Sequence, residues 1–189
     1  MLQKNVDYNN KLNELVIMML NEDYSALGYI IDILSPRLEG YLIRIGVKRD
    51  SVDDILQNTY IKIYTNINSF NLKKGNFSSW AYRICHNEMV NFFKKEKAIV
   101  PDSEEWAENI TSDNDIVENI DRDIVRSKIV NLIANLDIKY REPIILNLVE
   151  NKSYEEISFI LKIPISTVGV RIKRGKERLK KDLEKWRSG

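Results

Sequence analysis

Cysteine and histidine are almost missing from this chain: Cys85 and His86 are the single examples of each in 189 residues. One cysteine permits no internal disulfide, and one Cys with one His cannot complete a zinc site, so no metal is expected. Glycine and proline are also scarce, at 7 and 4, which excludes collagen-like and low-complexity chains. The longest uninterrupted apolar run is Leu15 to Leu20, far short of the ~20 residues that cross a bilayer. The start, Met1-Leu2-Gln3-Lys4-Asn5-Val6-Asp7, has no signal-peptide core. A cytoplasmic, reducing setting is therefore expected. Also lacking are paired carboxylates at metal spacing, a Gly-rich phosphate loop and a Ser/His/Asp set, so neither an enzyme nor a cofactor is expected.

What is present favours helix and a real core, with 43% hydrophobic and 30% charged residues. The formal net charge of +1 conceals a strong segregation. Residues 1–101 carry 13 bases and 11 acids, residues 102–123 carry one base, Arg122, against nine acids, and residues 125–189 carry 15 bases and 8 acids. A cationic carboxy-terminal third behind an anionic stretch fits a polyanion-binding module on a tether, and equally a solvated surface behind an acidic loop.

Periodicity is helical nearly throughout, without convincing strands or repeats. Leu12, Leu15, Val16 and Met19 share one face of a first helix. A second, from about Ser25 to Ile45, carries Leu27, Ile30, Ile31, Leu34, Leu38, Tyr41, Leu42 and Ile45, with a break or kink expected at Pro36 and a stop at Gly46. A third is expected from about Ser51 to Asn66, capped by Ser51, with Ile55, Leu56, Thr59, Tyr60 and Ile63 inward and Asp54, Gln57 and Asn58 on a polar face. Ser69 to Ser79 reads as a loop, and a fourth helix is expected to start with Ser78 or Ser79 as cap. On it, Tyr82, Arg83, His86 and Asn87 can share a more exposed face. Cys85 reads as a packing residue or a redox sensor. Residues 98–123 lose the pattern and read as a flexible acidic connector.

Beyond it, Val125, Ile129, Leu132, Ile133 and Leu136 mark one helix and Arg141 to Val149 another, with Pro143 suited to a first turn. Ser153 with Glu156 three residues on forms a capping box for a short helix containing Ile157, Ile160 and Leu161. Pro164 breaks it, and Ser166 can cap a new helix dense in cations from Arg171 to Lys181. A short helix, a tight break and a basic helix make a helix-turn-helix, for which DNA phosphate is the natural counter-ion.

Three motifs in order then resemble one family: Asp54-Ile55-Leu56-Gln57-Asn58-Thr59-Tyr60; Gly75-Asn76-Phe77-Ser78-Ser79-Trp80-Ala81-Tyr82-Arg83-Ile84-Cys85-His86-Asn87; and Ser153-Tyr154-Glu155-Glu156-Ile157 with Pro164-Ile165-Ser166-Thr167-Val168 and Arg174-Gly175-Lys176-Glu177-Arg178-Leu179. The chain resembles bacterial RNA polymerase sigma factors of the extracytoplasmic-function type. The resemblance implies an all-α fold of two small helical domains, a domain 2 bundle at 1–97 and a domain 4 helix-turn-helix at 124–189, joined by a linker at 98–123.

It also implies partners and roles. Asp54, Gln57 and Asn58 would dock on the clamp helices of the largest subunit of core RNA polymerase, and domain 4 on its flap region; the family more often has Glu where Asn58 stands. Asn71, Asn76, Ser78, Trp80, Tyr82, Arg83, Asn87, Lys94 and Lys95 would open the −10 promoter element and hold its single strand. These types suit that work, since single strands want aromatic platforms, amide and hydroxyl partners and cations; core packing is the other reading of Trp80 and Phe77. The family often carries Asp where Asn91 stands. Ser166, Thr167, Gly169, Val170, Arg171, Lys173, Arg174, Lys176 and Arg178 would meet the −35 duplex, Lys173 and Arg174 at bases and Arg171, Lys176 and Arg178 at phosphates. Gly169 departs from the family's common cation, leaving readout to Lys173, Arg174 and DNA shape. The acidic linker would thread the cationic cleft of the polymerase, or serve as a solvated tether. An anti-sigma protein is a further implied partner. A stand-alone helix-turn-helix regulator is the alternative, but it leaves the first two motifs unexplained.

Overall fold

The computed structural model describes residues 2–96 and 129–188. Among these, every regular element is helical. In the amino-terminal part, α1 spans Leu2–Leu20, α2 Ala26–Ile45, α3 Arg49–Asn66 and α4 Phe77–Glu96, with two 3-10 turns, Ile67–Ser69 and Leu72–Lys74, between the last two. A helical stretch at 129–134 follows, then α5 (Ile138–Leu148), α6 (Tyr154–Leu161) and α7 (Ile165–Ser188). The acidic connector expected at 98–123 lies outside the described residues.

The inward stripe of α2 is Ala26, Ile30, Leu34, Leu38, Tyr41, Leu42 and Ile45, all fully buried. Steps of three and four residues keep these on one face, and each large aliphatic side chain removed from water contributes about 1.5–3 kcal/mol. Leu12, Val16 and Met19 of α1, Ile55 and Ile63 of α3, and Phe77, Ala81 and Cys85 of α4 close the bundle around that stripe. Gly46 ends α2 in the left-handed region at φ 107°, its N–H donating to the carbonyls of Ile43 and Leu42.

Four local expectations need correction. Of the break or kink expected at Pro36, the break does not occur, and α2 runs through the proline with its neighbours held on both sides by the buried stripe. α3 begins at Arg49 with Lys48 in the cap position and Asp50 in the first turn, rather than at Ser51. α4 begins at Phe77, and its cap is Asn76, whose Oδ1 accepts from the Ser79 N–H at 2.7 Å. Ser78 and Ser79 therefore lie inside the helix, with hydroxyls free for longer-range partners. Pro143 sits in the interior of α5, not its first turn.

The helix-turn-helix forms where expected, with one further correction: α7 begins at Ile165, so Ser166 lies in its first turn rather than capping it. The Ser153 hydroxyl accepts from the Glu156 N–H at 3.2 Å, and the Ser153 N–H donates to the Glu156 carboxylate at 2.8 Å, completing the capping box. Lys162 ends α6 in the left-handed region at φ 54°. The Ser158 hydroxyl ties the turn by donating to the Ile163 carbonyl at 2.6 Å. Val168 and Ile172 of α7 pack inward with Ile157 and Ile160 of α6.

The two halves pack on each other, α6 against α4 and α5 against α2. Much of this contact is polar. The Tyr41 hydroxyl donates to the Glu142 carboxylate at 2.6 Å, and His86 Nδ1 lies 2.7 Å from the same oxygen. The Tyr82 hydroxyl donates to Glu150, which also takes Arg44 at 3.3 Å. Burial pushes both tyrosine hydroxyls well above their ordinary range, reinforced by the adjacent carboxylates.

Candidate nucleic-acid interface

One side of α4 along most of its length and the loop before it build a cavity of about 1000 Å³. Six of the nine side chains expected to hold a single strand line it, namely Asn71, Asn76, Trp80, Arg83, Asn87 and Lys94, and Ser79 joins them. Local geometry fixes several of them. Asn71 Oδ1 accepts from the Lys73 N–H at 2.9 Å and so anchors the 3-10 turn. Asn76 spends its carbonyl oxygen on capping α4, which turns its amide N–H groups outward. Trp80 packs against Phe70 and Phe77, with ring centroids 5.3 and 5.5 Å away. Phe77 is fully buried while Trp80 keeps a wall on the cavity. Trp80 is thus at once a packing residue and a candidate platform.

Three expected positions stand elsewhere. Ser78 is buried, and its hydroxyl accepts from Lys152 Nζ at 2.8 Å. Tyr82 is fully buried beneath the second half of the chain. Tyr82 and His86 do not share an exposed face, because Glu142 and Glu150 supply polar partners that cover it. Lys95 is exposed and does not line the cavity. Sequence reasoning missed Ser79 as a lining residue, and also Lys62 and Asn66, which reach the same cavity from α3; Lys62 forms an ion pair there with Glu88.

The second half of the chain supplies a wall of this cavity through Glu155, Glu156, Phe159 and Lys162. The Arg83 guanidinium lies over the Phe159 ring at 4.4 Å. Burial pushes the Lys152 ammonium down to about 8, opposed by the attraction of Glu156 and Glu150. Burial works to raise the Glu156 carboxyl, but bonds from Ser79 and Ser153, with Lys152 nearby, hold it below the usual carboxylate range.

On α7 the buried line Val168, Ile172 and Gly175 faces the protein. The opposite side exposes Ser166, Val170, Lys173, Arg174, Lys176 and Arg178, with Thr167, Gly169 and Arg171 half-buried at its margins. Arg178 is drawn back over the Tyr140 ring at 4.4 Å. Lys173, Arg174 and Lys176 remain exposed on that side.

A third surface lies on α3. Asp54, Gln57 and Asn58 are exposed while Ile55, Leu56 and Thr59 are buried, as the helical spacing predicts. Asn58 Nδ2 donates to the Asp54 carbonyl at 2.9 Å and lies along its own helix. One turn on, Ile61 and Tyr64 are 59% and 45% exposed, which makes this face a mixed polar and apolar stripe.

Cys85 is fully buried. Burial pushes its thiol from 9.0 to about 12, which leaves far too little thiolate for sensing. A thiol so buried and so raised predicts alkylation by iodoacetamide orders of magnitude slower than in the unfolded chain. Intact mass after timed labelling at neutral pH measures it; comparable native and unfolded rates would contradict the burial.

Among the described residues, no helix is long and apolar enough to cross a membrane. Family models for Sigma-70 region 2 and Sigma-70 region 4 match residues 30–99 and 126–179. The ECF RNA polymerase sigma factor SigW of Bacillus subtilis is 34% identical over 170 residues, 85% of this chain and 90% of that protein. The ECF RNA polymerase sigma-E factor of Haemophilus influenzae is 29% identical over 171 residues, 86% and 89% of the two chains. In fold, the chain is similar to CnrH as solved with the cytosolic domain of CnrY, with a TM-score of 0.66 and 19% identity over 92% of this chain and 97% of that one. It is also similar to RpoE as solved with the anti-sigma factor NepR from Bartonella quintana, with a TM-score of 0.61 and 24% identity over 82% and 94%.

Proposed function

Because the chain belongs to the extracytoplasmic-function sigma factors, and so directs RNA polymerase to promoters to initiate transcription, we propose how its surfaces divide that work. Residues 1–97 form domain 2, 98–123 the linker and 124–189 domain 4. The cavity beside α4 takes the opened −10 strand, the exposed face of α7 reads the −35 duplex, and Asp54, Gln57 and Asn58 on α3 meet the clamp helices of the core enzyme. Domain 4 meets the flap region. An anti-sigma protein is a further partner, as in the solved relative with NepR. The chain acts in the cytoplasm and has no catalysis of its own, the bond-forming chemistry being that of the polymerase.

One observation carries the −10 assignment: seven side chains of the types a single strand needs gather around one cavity although they are spread from Asn71 to Lys94. Stacking on an aromatic such as Trp80 contributes about 1–3 kcal/mol per base, and Arg83 and Lys94 provide charge for the backbone. A stand-alone regulator has no use for such a cavity, nor for the exposed stripe on α3.

Run-off transcription with core polymerase and a promoter library tests the reading directly. Supported initiation is expected from a restricted promoter set, and its absence on every template would refute it. The docking face has its own test. The double variant Asp54→Ala, Gln57→Ala should lose most of its retention of core polymerase in a pull-down while binding −35 duplex as the parent does. Full retention would move the docking site off α3.

A further inference from the structure

The residues proposed to grip the −10 strand are already gripped. Glu156 Oε1 accepts from Asn76 Nδ2 at 2.5 Å and from the Ser79 hydroxyl at 2.6 Å. Two donors from the start of α4 thus converge on one anionic oxygen. Asn76 cannot turn its amide over without giving up the bond from its Oδ1 to the Ser79 N–H. The cavity therefore presents a donor pair, and whatever occupies that place must bring an acceptor, as the carbonyl edge of a base does. Glu156 is that acceptor in this arrangement. Phe159, one turn on, covers the Arg83 guanidinium, a cation otherwise suited to stacking on a base or pairing with phosphate.

Much of the rest of the contact is polar and of a kind that can open, although Arg141 also donates across it to the Ile45 carbonyl and apolar residues of both halves share one core. Glu142, Glu150 and Lys152 meet the first half of the chain through hydroxyls, an imidazole and an arginine, namely Tyr41, Tyr82, Ser78, His86 and Arg44. Each such group can exchange its protein partner for water, so separation leaves them satisfied. Opening an apolar interface of the same size would carry a larger cost.

We propose that α6 is an intramolecular plug: its Glu156 carboxylate occupies the donor pair of the −10 cavity, so that domain 4 holds the single-strand site shut until it is drawn away. This rests on the assignment of the cavity to the −10 strand and adds a regulation to it. A strand must then displace α6 before it can bind. A site that is open only a fraction of the time has its apparent affinity reduced by that fraction. The plug also places carboxylates where DNA phosphate would run, so the closed form repels what the open form binds.

The test uses the full chain and the non-template −10 strand of a promoter chosen in the run-off experiment, carrying a fluorescein label. Glu156→Ala removes the acceptor while Ser153 still caps the Glu156 N–H position of α6. Glu150→Gln leaves the cavity untouched and loosens the contact through Tyr82 and Arg44. Both variants are expected to bind the strand about tenfold more tightly than the parent. A dye pair on α3 and on the outer face of α7 should report a longer distance in both. Binding of −35 duplex, unchanged from the parent, shows that domain 4 remains folded; where Glu156→Ala fails that check, Glu150→Gln alone decides. Equal strand affinity in all three chains overturns the plug and leaves the cavity assignment standing. Absence of strand binding in all three, even with core polymerase present, overturns both.

Discussion

Exchange of Arg141 for Met is expected to destabilise the chain by about 3–4 kcal/mol. Arg141 is 5% exposed. Its Nε donates to the Leu136 carbonyl at 3.1 Å, its Nη1 to the Ile45 carbonyl at 2.9 Å, and its Nη2 to the Ala134 carbonyl. Ile45 is the last residue of α2, where Gly46 has already used the carbonyls of Ile43 and Leu42. Ala134 ends the helical stretch at 129–134. One guanidinium therefore serves the negative ends of two helices, where a cation is favoured. Its fork reaches three carbonyls at once, a geometry a lysine cannot reproduce. Burial pulls its pKa below the ordinary value, with Asp137 opposing that fall, and the group stays charged under any ordinary condition.

Methionine would fill the volume and leave three buried carbonyls without a donor, each a loss of about 1–3 kcal/mol before relaxation. At ~2–4 °C per kcal/mol for a chain of this size, the midpoint of thermal unfolding should fall by roughly 6–16 °C. Circular dichroism melts of the two chains measure this, and Arg141→Lys should recover only part of the loss. A midpoint equal to that of the parent would show that the three bonds carry no net stability. Since Nη1 crosses to α2, the substitution also removes a tie between the two halves.

Arg141 illustrates what the sequence could and could not disclose. Local patterns were legible: the stripe of α2, the Ser153 and Glu156 capping box, the turn before Pro164 and the exposed face of α3 all follow from spacing and from backbone chemistry within a few residues. Six of the residues that line the cavity beside α4 were legible too, because they lie close together around one loop and one helix. The errors share a cause. Tyr82 and Ser78 looked solvent-facing because polar side chains on α4 normally mean water, whereas here charged side chains from domain 4 cover them. A polar contact between distant segments leaves no apolar signature, so nothing marked Glu142, Glu150 and Lys152, and Glu156 read only as half of a capping box. The cap of α4 failed for a more local reason: Asn76, Ser78 and Ser79 are all competent caps, and only the loop geometry set by Phe70 and Phe77 selects Asn76.

Replacing Arg174 with Ala should weaken binding to the −35 duplex by about 1–3 kcal/mol, roughly 5- to 150-fold, and relax the preference for one base pair. Arg174 and Lys173 are exposed on the side of α7 opposite Val168, Ile172 and Gly175. An arginine so placed can hold both acceptors of a guanine edge, whereas a phosphate contact is indifferent to sequence. Lys176→Ala should therefore lower affinity for matched and mismatched duplexes alike and reduce the salt slope by about one. Arg178 already lies over Tyr140 at 4.4 Å, so its loss should cost less. Fluorescence anisotropy on a promoter duplex and its single-base variants, over a range of salt, separates these cases. An Arg174→Ala chain with parental affinity and preference would take that residue off the reading face. Gly169 sharpens the expectation. A Cβ there would meet only the Tyr154 ring, at 3.7 and 4.0 Å, so packing does not demand glycine, and no side chain at that position can share the readout. Discrimination falls on fewer groups, which places the expected Arg174 effect toward the upper end of its range.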